Sequence, residues 1–442
     1  MDLQTGGTGR DSRKRPTPVV GKNPYGESQF RTMLMNPRLF PMGQLKLVIS
    51  AICSLITLDD CCFSQTWSQT GAPTNEEWQA MACSADGSKL LAVNQINVYT
   101  STNSGTTWTP ANPPPSLDLW HAATTSADGS VMIAGTYGGL YISTNSGVDW
   151  QLNSNAPQNV WYWSAACSAD GTKAVAAAYY DTAAGNPQLL YVSQDSGATW
   201  TAASAPSNNW SAVASSADGT KLIALAFNGL IYRSTDSGTT WTSNNIVGYW
   251  RSVACSADGT KVVAVASPGQ IYTSTNSGLN WNSHFVPDAG IGFGSVATSA
   301  NGVRLLAVGF ESSSPIFVST NSGNTWNQQT NAPAIADWNA VASSADGFAI
   351  FAATYGLTVN DNAGGIYALK KMPLPILHLA IVNTNVDVSW AVPSASFVLQ
   401  NSPDLSNWFD TTNVPTLNFS NLQSEVMLPL STINDFYRLK TP

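Results

Sequence analysis

The sequence predicts an all-β repeat fold, and three observations lead there. The tetrapeptide Ser-Ala-Asp-Gly recurs around Asp86, Asp128, Asp170, Asp218, Asp258 and Asp346, with Ser-Ala-Asn-Gly at Asn301, at intervals of 42, 42, 48, 40, 43 and 45 residues. A second motif, Ser-x-Asn/Asp-Ser-Gly-x-x-Trp, follows each of the first six copies and ends at Trp108, Trp150, Trp200, Trp241, Trp281 and Trp326. An aromatic residue opens each unit eight residues before the turn Asp or Asn, nine in the third: Trp78, Trp120, Trp161, Trp210, Trp250, Phe293 and Trp338. Together these define seven units, and four short strands per unit make each one a propeller blade.

The chain has 442 residues, 43% hydrophobic and 10% charged, ample for a large core and too poor in charge for a disordered or coiled-coil protein. Residues 1–46 carry eight of its 19 Lys and Arg, and from residue 66 onward 11 basic side chains face 22 acidic ones, a net of −11. Such a body repels phosphate backbones, which excludes nucleic acid as a partner. Residues 1–64 read as a presequence and secretory signal. An apolar run over 47–58 follows Arg38 and Lys46, too short for a bilayer span and right for an export signal. The 41 residues ahead of it are basic and unpatterned, which suggests an internal start at Met33, Met35 or Met42, or a long presequence. The expected destination is secretion or the cell envelope, with no stable membrane span in the mature chain.

The fourth unit displays the strands. Trp210–Ser216 is short and small-apolar, and Ala-Asp-Gly-Thr-Lys turns it into the apolar run 222–227. Asn228-Gly229 makes a tight turn, 230–235 alternates, and the second motif turns into a last strand at Trp241. Gly beside Asn or Asp at each corner supplies the positive φ such turns need. In the seventh unit the second motif is lost, and the missing fourth strand reappears at the N-terminus as Gln65–Gln69, which matches Thr325–Gln328. An N-terminal strand that completes the last blade closes the ring and removes exposed edges. The prediction is therefore a seven-bladed β-propeller over 65–371. After Pro373 and Pro375 the alternating runs of 376–442 predict a small β-sandwich accessory module.

The repeats resemble the Asp-box (BNR, sialidase-type) motif found in sialidases, xyloglucanase-type glycoside hydrolases, sortilin-type receptors and photosystem II assembly-factor propellers. The resemblance implies the fold; it implies little about activity, because in those families the box is a structural turn away from the active site. Sialidase chemistry calls for an arginine cluster, whereas the propeller holds only Arg233, Arg251 and Arg304. Xyloglucanase-type enzymes place their cleft between two propellers, and only one is present.

Cys83, Cys167 and Cys255 share one repeat position in units one, three and five, too far apart to pair as disulfides. His121, His284 and His378 are isolated, so no metal and no cofactor is expected. The repeated turn acids read as Asx caps of their own backbone. The opening aromatics, Trp78, Trp120, Trp161, Trp210, Trp250, Phe293 and Trp338, are expected near the inner mouth of one face, where aromatic rings stack on sugars. Glu76, Glu77, Asp118 and Asp337 come from blades adjoining across the closure and are the acids that could form a glycosidase pair. The expectation is a monomeric exported binding or scaffold module, not an enzyme, whose partner is a polysaccharide or envelope protein. The alternatives are a glycoside hydrolase and a protein-assembly scaffold.

Overall fold

The computed structural model describes residues 67–440 apart from 75, 112–118, 180–187, 285, 287–291, 311–314, 331, 334–336, 356–363, 371–377, 383–384, 392–397, 403–408, 412–414, 419–422 and 430–435. The presequence region and Asp118 lie outside the described residues. The described elements are all strands, in antiparallel sheets of a repeated form. The first sheet is Trp78–Cys83, Leu90–Asn94, Val98–Ser101 and Thr109–Pro110, in chain order. The next units repeat this order, and the fourth and fifth are joined into one eight-stranded sheet. There Leu222–Gly229 outruns its counterparts and pairs with Gly248–Cys255 through Phe227↔Tyr249 and Gly229↔Gly248.

The second strands carry the core. Leu90–Asn94, Met132–Thr136, Val262–Ala266 and Leu305–Gly309 are buried along their whole length, because a sheet packed on both faces leaves no solvent side. The last sheet is composite. Trp338–Ser343, Ala349–Thr354 and Ile366–Lys370 supply three strands, and Trp67–Gln69 pairs with the third as the outer edge (Trp67↔Leu369). The first strands touch their neighbours in a closed cycle, Trp338–Ser343 meeting Trp78–Cys83.

The Ser-Ala-Asp-Gly turns fasten that cycle. The amide of Ala85 donates to the carbonyl of Ala127, and the same bond runs on through Ala169, Ala217, Ala257, Ala300 and Ala345 back to Ala85, each 2.7–2.8 Å. Within a turn the acid serves its own loop: Asp258 Oδ1 accepts from the Thr260 amide at 2.9 Å and the Thr260 hydroxyl at 2.8 Å. The second motif is likewise a self-contained turn. Ser143 Oγ accepts from the Gly147 amide (2.9 Å) and donates to Asn145 Oδ1 (2.9 Å), while Trp150 Nε1 donates to the Gly147 carbonyl (3.0 Å). Gly147 sits at φ 83°, and a Cβ there would meet Thr100 Cγ2 at 2.4 Å, so glycine is required on both counts.

Beyond residue 377 two further sheets form. One orders His378–Val382, Asn385–Ala391, Gln423–Pro429 and Thr416–Asn418; the other is Phe409–Asp410, Val398–Ser402 and Phe436–Lys440. Val388, Trp390, Val426 and Leu428 of the first share a buried cluster with Leu399 of the second. No helix among the described residues is long and apolar enough to cross a membrane.

Candidate functional site

Every first strand carries a bulge one residue after its opening aromatic. The register slips between Trp78 and Ala80, Trp120 and Ala122, Tyr162 and Ser164, Trp210 and Ala212, Trp250 and Ser252, Phe293 and Ser295, and Trp338 and Ala340. A bulge leaves one residue unpaired and re-aims its side chain. The residues so placed are Gln79, His121, Trp163, Ser211, Arg251, Gly294 and Asn339, and all seven line a central cavity of about 400 Å³.

The bulge also disposes of the opening aromatics, and here the sequence expectation is corrected. Trp78, Trp120, Trp210, Trp250, Phe293 and Trp338 are buried to 2% exposure or less, in the core rather than at the mouth. Each lies against a third-strand ring, as Trp210 on Tyr232 (5.0 Å) and Trp250 on Tyr272 (5.1 Å). In unit three Tyr162 takes the buried place against Tyr191, so Trp161 is displaced outward and is only half-buried. Tyr162, eight residues before Asp170, is the equivalent of the other opening aromatics; Trp161 stands one position earlier, and successive positions of a strand face opposite sides.

Two regions of the cavity differ in chemistry. On the side of units two and three, His121 stacks on Trp163 (4.5 Å, 15°), Tyr179 covers Trp163 from 4.9 Å, and Trp161 meets His121, Tyr137 and Trp163 edge-on. His121 Nε2 is buried with no hydrogen-bond partner among the described residues, and burial pushes its pKa down to about 4. It is therefore a neutral aromatic at physiological pH. On the side of unit five, the Arg251 guanidinium lies 5.3 Å from the ring centres of both Phe227 and Phe310. Arg251 is exposed and, among the described residues, is the one of fixed charge that lines the cavity. Other polar groups stitch the strands together: Asn339 Nδ2 donates to the Trp78 carbonyl (2.9 Å), and Ser164 Oγ and Ser252 Oγ accept from the amides of Val213 and Val296 (3.2 Å each), whereas Gln79 Nε2 is buried with no hydrogen-bond partner among the described residues.

The candidate acids are not gathered into this cavity. Glu76 accepts from Asn94 Nδ2 at 2.6 Å, and Glu77 accepts from Gln95 Nε2. Asp337 adopts φ 67° and its carbonyl accepts from the Tyr355 amide at 2.7 Å. None of the three lines the cavity, and Asp118 lies outside the described residues. At the opposite end a narrower space of about 180 Å³ is lined by the ring alanines with Cys83, Cys167 and Cys255, all free thiols. Burial pushes Cys167 up to about 11 and Cys255 up to about 12.

The bulge series went unnoticed in the sequence although a signal was present. Positions flanking it repeat from unit to unit as Trp and small residues, while the one between runs Gln, His, Trp, Ser, Arg, Gly, Asn.

No protein-family model and no curated protein sequence matches the chain. Among solved structures it is similar to YCF48 bound to D1 peptide, with a TM-score of 0.53 and 16% identity over 70% of this chain and 98% of that one. It is similar also to YCF48 from Cyanidioschyzon merolae (TM-score 0.52, 14% identity, 69% and 98% covered). A third likeness is to the Cps50 (Swd1) β-propeller domain of Myceliophteria thermophila (TM-score 0.54, 11% identity, 68% and 99% covered). The fold is that of a β-propeller, in agreement with the Asp-box resemblance read from the repeats.

Proposed function

We propose that the chain is an exported seven-bladed propeller over 65–371, followed by a β-sandwich module over 376–442, and that it binds a polypeptide partner at the cavity lined by the bulge residues. The closed ring of seven alanine hydrogen bonds supports the blade count, and the core shared by the two C-terminal sheets supports the sandwich. The observation that carries the function is the bulge series itself: a repetitive frame that presents seven non-equivalent residues, six of them with side chains, to one space is built for recognition. A propeller of similar fold, YCF48, has been solved with a D1 peptide bound. Binding is favoured over hydrolysis, because a glycosidase needs paired carboxylates and, among the described residues, no Asp or Glu lines the cavity.

A glycan is the second reading, and the rim tyrosines favour it: Tyr249 and Tyr355 are 49% and 42% exposed. It ranks lower because Trp163, the one tryptophan lining the cavity among the described residues, already has His121 stacked on it and Tyr179 tilted against it. The test is titration of the full chain with peptide libraries and with a polysaccharide panel, following tryptophan fluorescence and reducing-end release together. Peptide-dependent quenching without release is expected. Saturable quenching by a neutral polysaccharide alone would replace the peptide reading with the glycan one, and release of reducing ends would make the protein a hydrolase.

A further inference from the structure

Resting on that reading of the cavity, we infer that the ligand presents a carboxylate to Arg251, with apolar side chains beside it. A guanidinium is a planar fork of donors suited to a carboxylate and is weakly hydrated, so it can be held between aromatic rings without losing its hydrogen-bonding edge. Phe227 and Phe310 hold it from 5.3 Å each and fix its position over the cavity. Phe227 is itself fixed, because the overlong strand Leu222–Gly229 pairs with the strand that carries Arg251 and its ring meets Tyr249 at 5.6 Å. Among the described residues this cross-unit pairing occurs once, beside Arg251.

Among the described residues no carboxylate pairs with Arg251 and none lines the cavity, so the described lining carries a positive charge in a body of net −11 from residue 66 onward. Exposed apolar side chains lie nearby: Val247 and Tyr249, 65% and 49% exposed, precede Arg251 on its own segment, and Tyr355 on the cavity wall is 42% exposed. A cation in an apolar surround selects a ligand that is acidic at one point and apolar around it. The carboxylate could come from a peptide C-terminus or from an Asp or Glu side chain.

The experiment measures binding of the full chain to three immobilised heptapeptide libraries by fluorescence. One has free C-termini and lacks Asp and Glu, one is C-amidated with a central Glu, and one is C-amidated and acid-free. Retention by the first assigns a C-terminal carboxylate and retention by the second a side chain; either is expected, with the acid-free amides at least tenfold weaker. Arg251→Met keeps an apolar stem between the two rings, and should lose about ten- to a hundredfold in affinity, as removal of a charge-assisted pair does. Arg251→Lys should recover part of that loss. Equal binding of acid-free amides, or unchanged affinity of Arg251→Met, overturns the carboxylate assignment and leaves peptide binding intact. No retention from any library overturns the peptide reading itself. Glu311→Gln is made alongside, since this acid follows Phe310 in sequence. Wild-type affinity is expected, and a gain above tenfold would mean that Arg251 is already neutralised within the chain and would overturn the inference. Uronic-acid oligosaccharides that bind in an Arg251-dependent way would keep the carboxylate assignment and overturn the peptide reading.

Discussion

Asp346 is the one turn acid set against its own surroundings, and Asp346→Asn should stabilise the protein at neutral pH. In units one, three, four and five the hydroxyl two residues on donates to the second carboxylate oxygen, from Ser88, Thr172, Thr220 and Thr260 at 2.7–2.9 Å. Unit seven has Phe348 there. Asp346 Oδ1 still accepts from Ser344 Oγ and from the Phe348 amide (2.9 Å), but Oδ2 is buried with no partner. Arg304, which might have compensated more fully, packs over the Phe348 ring at 3.9 Å. Burial accordingly pushes the Asp346 pKa up from 3.8, whereas Asp128, Asp170, Asp218 and Asp258 all lie below it. Unit six shows the remedy: Val303 lacks the hydroxyl and the turn residue is Asn301, whose Oδ1 accepts from Ser299 Oγ (2.8 Å) and the Val303 amide (3.0 Å). A buried charged acceptor left unpaired costs about 1–3 kcal/mol. After subtracting the attraction of Arg304, the gain for Asp346→Asn should be about 1–2 kcal/mol at pH 7, or roughly 2–4 °C in Tm. The sign with pH follows from the raised pKa. Protonated Asp346 costs nothing below its ordinary value of 3.8, and the penalty grows as pH rises through the folded pKa. Calorimetry at pH 7 and pH 3.5 should therefore show a difference between variant and wild type at the first and almost none at the second. The same difference at both values, or a lower Tm for the variant at pH 7, would refute the reasoning.

Other expectations are independent of this one. Ser234→Ala removes the hydroxyl that accepts from the Gly238 amide at 2.9 Å inside a buried turn, and should cost about 1–2 kcal/mol in a denaturant titration. Trp250→Phe should cost about 1 kcal/mol more than Trp338→Phe, because Trp250 Nε1 donates to the Gly229 carbonyl (3.0 Å) whereas Trp338 Nε1 has no partner to lose. With Cys53→Ser, Cys61→Ser and Cys62→Ser to silence the other thiols, Cys83, Cys167 and Cys255 should react with a disulfide reagent at pH 8 only after denaturant is added, since burial raises all three pKa values; full modification within seconds in buffer would contradict their placement.

The architecture was legible because its determinants are local and repeated. Gly and Asx at turn corners, apolar second strands and the displaced strand Trp67–Gln69 can each be read without knowing what they touch, and the structure pairs that strand with Ile366–Lys370. The site was less legible. Trp78, Trp210 and Trp250 look from the repeat as though they belong to the mouth, and they stand one residue from it. What separates them from Gln79, Ser211 and Arg251 is a bulge, a register event between two strands. A one-residue slip exchanges inside for outside, and in the sequence only the variability of that one position from unit to unit marks it. Likewise nothing in the spacing of Arg251, Phe227 and Phe310 reveals that two rings flank one guanidinium. That arrangement exists only once neighbouring sheets are side by side.

The composite last sheet has a consequence for how the protein comes into being. Ser68 Oγ donates to the carbonyl of Ala368 across 300 residues of chain. At synthesis rates of about 5–20 residues per second, the strand Trp67–Gln69 waits roughly 15–60 s for the partner it completes. Over that interval the growing chain is an open arc with an unpaired edge at its leading end, and a chain delivered end-first through a pore meets the same wait. Its first and last strands are thus one element divided by time, and losing either terminus of the repeat region uncovers the same edge.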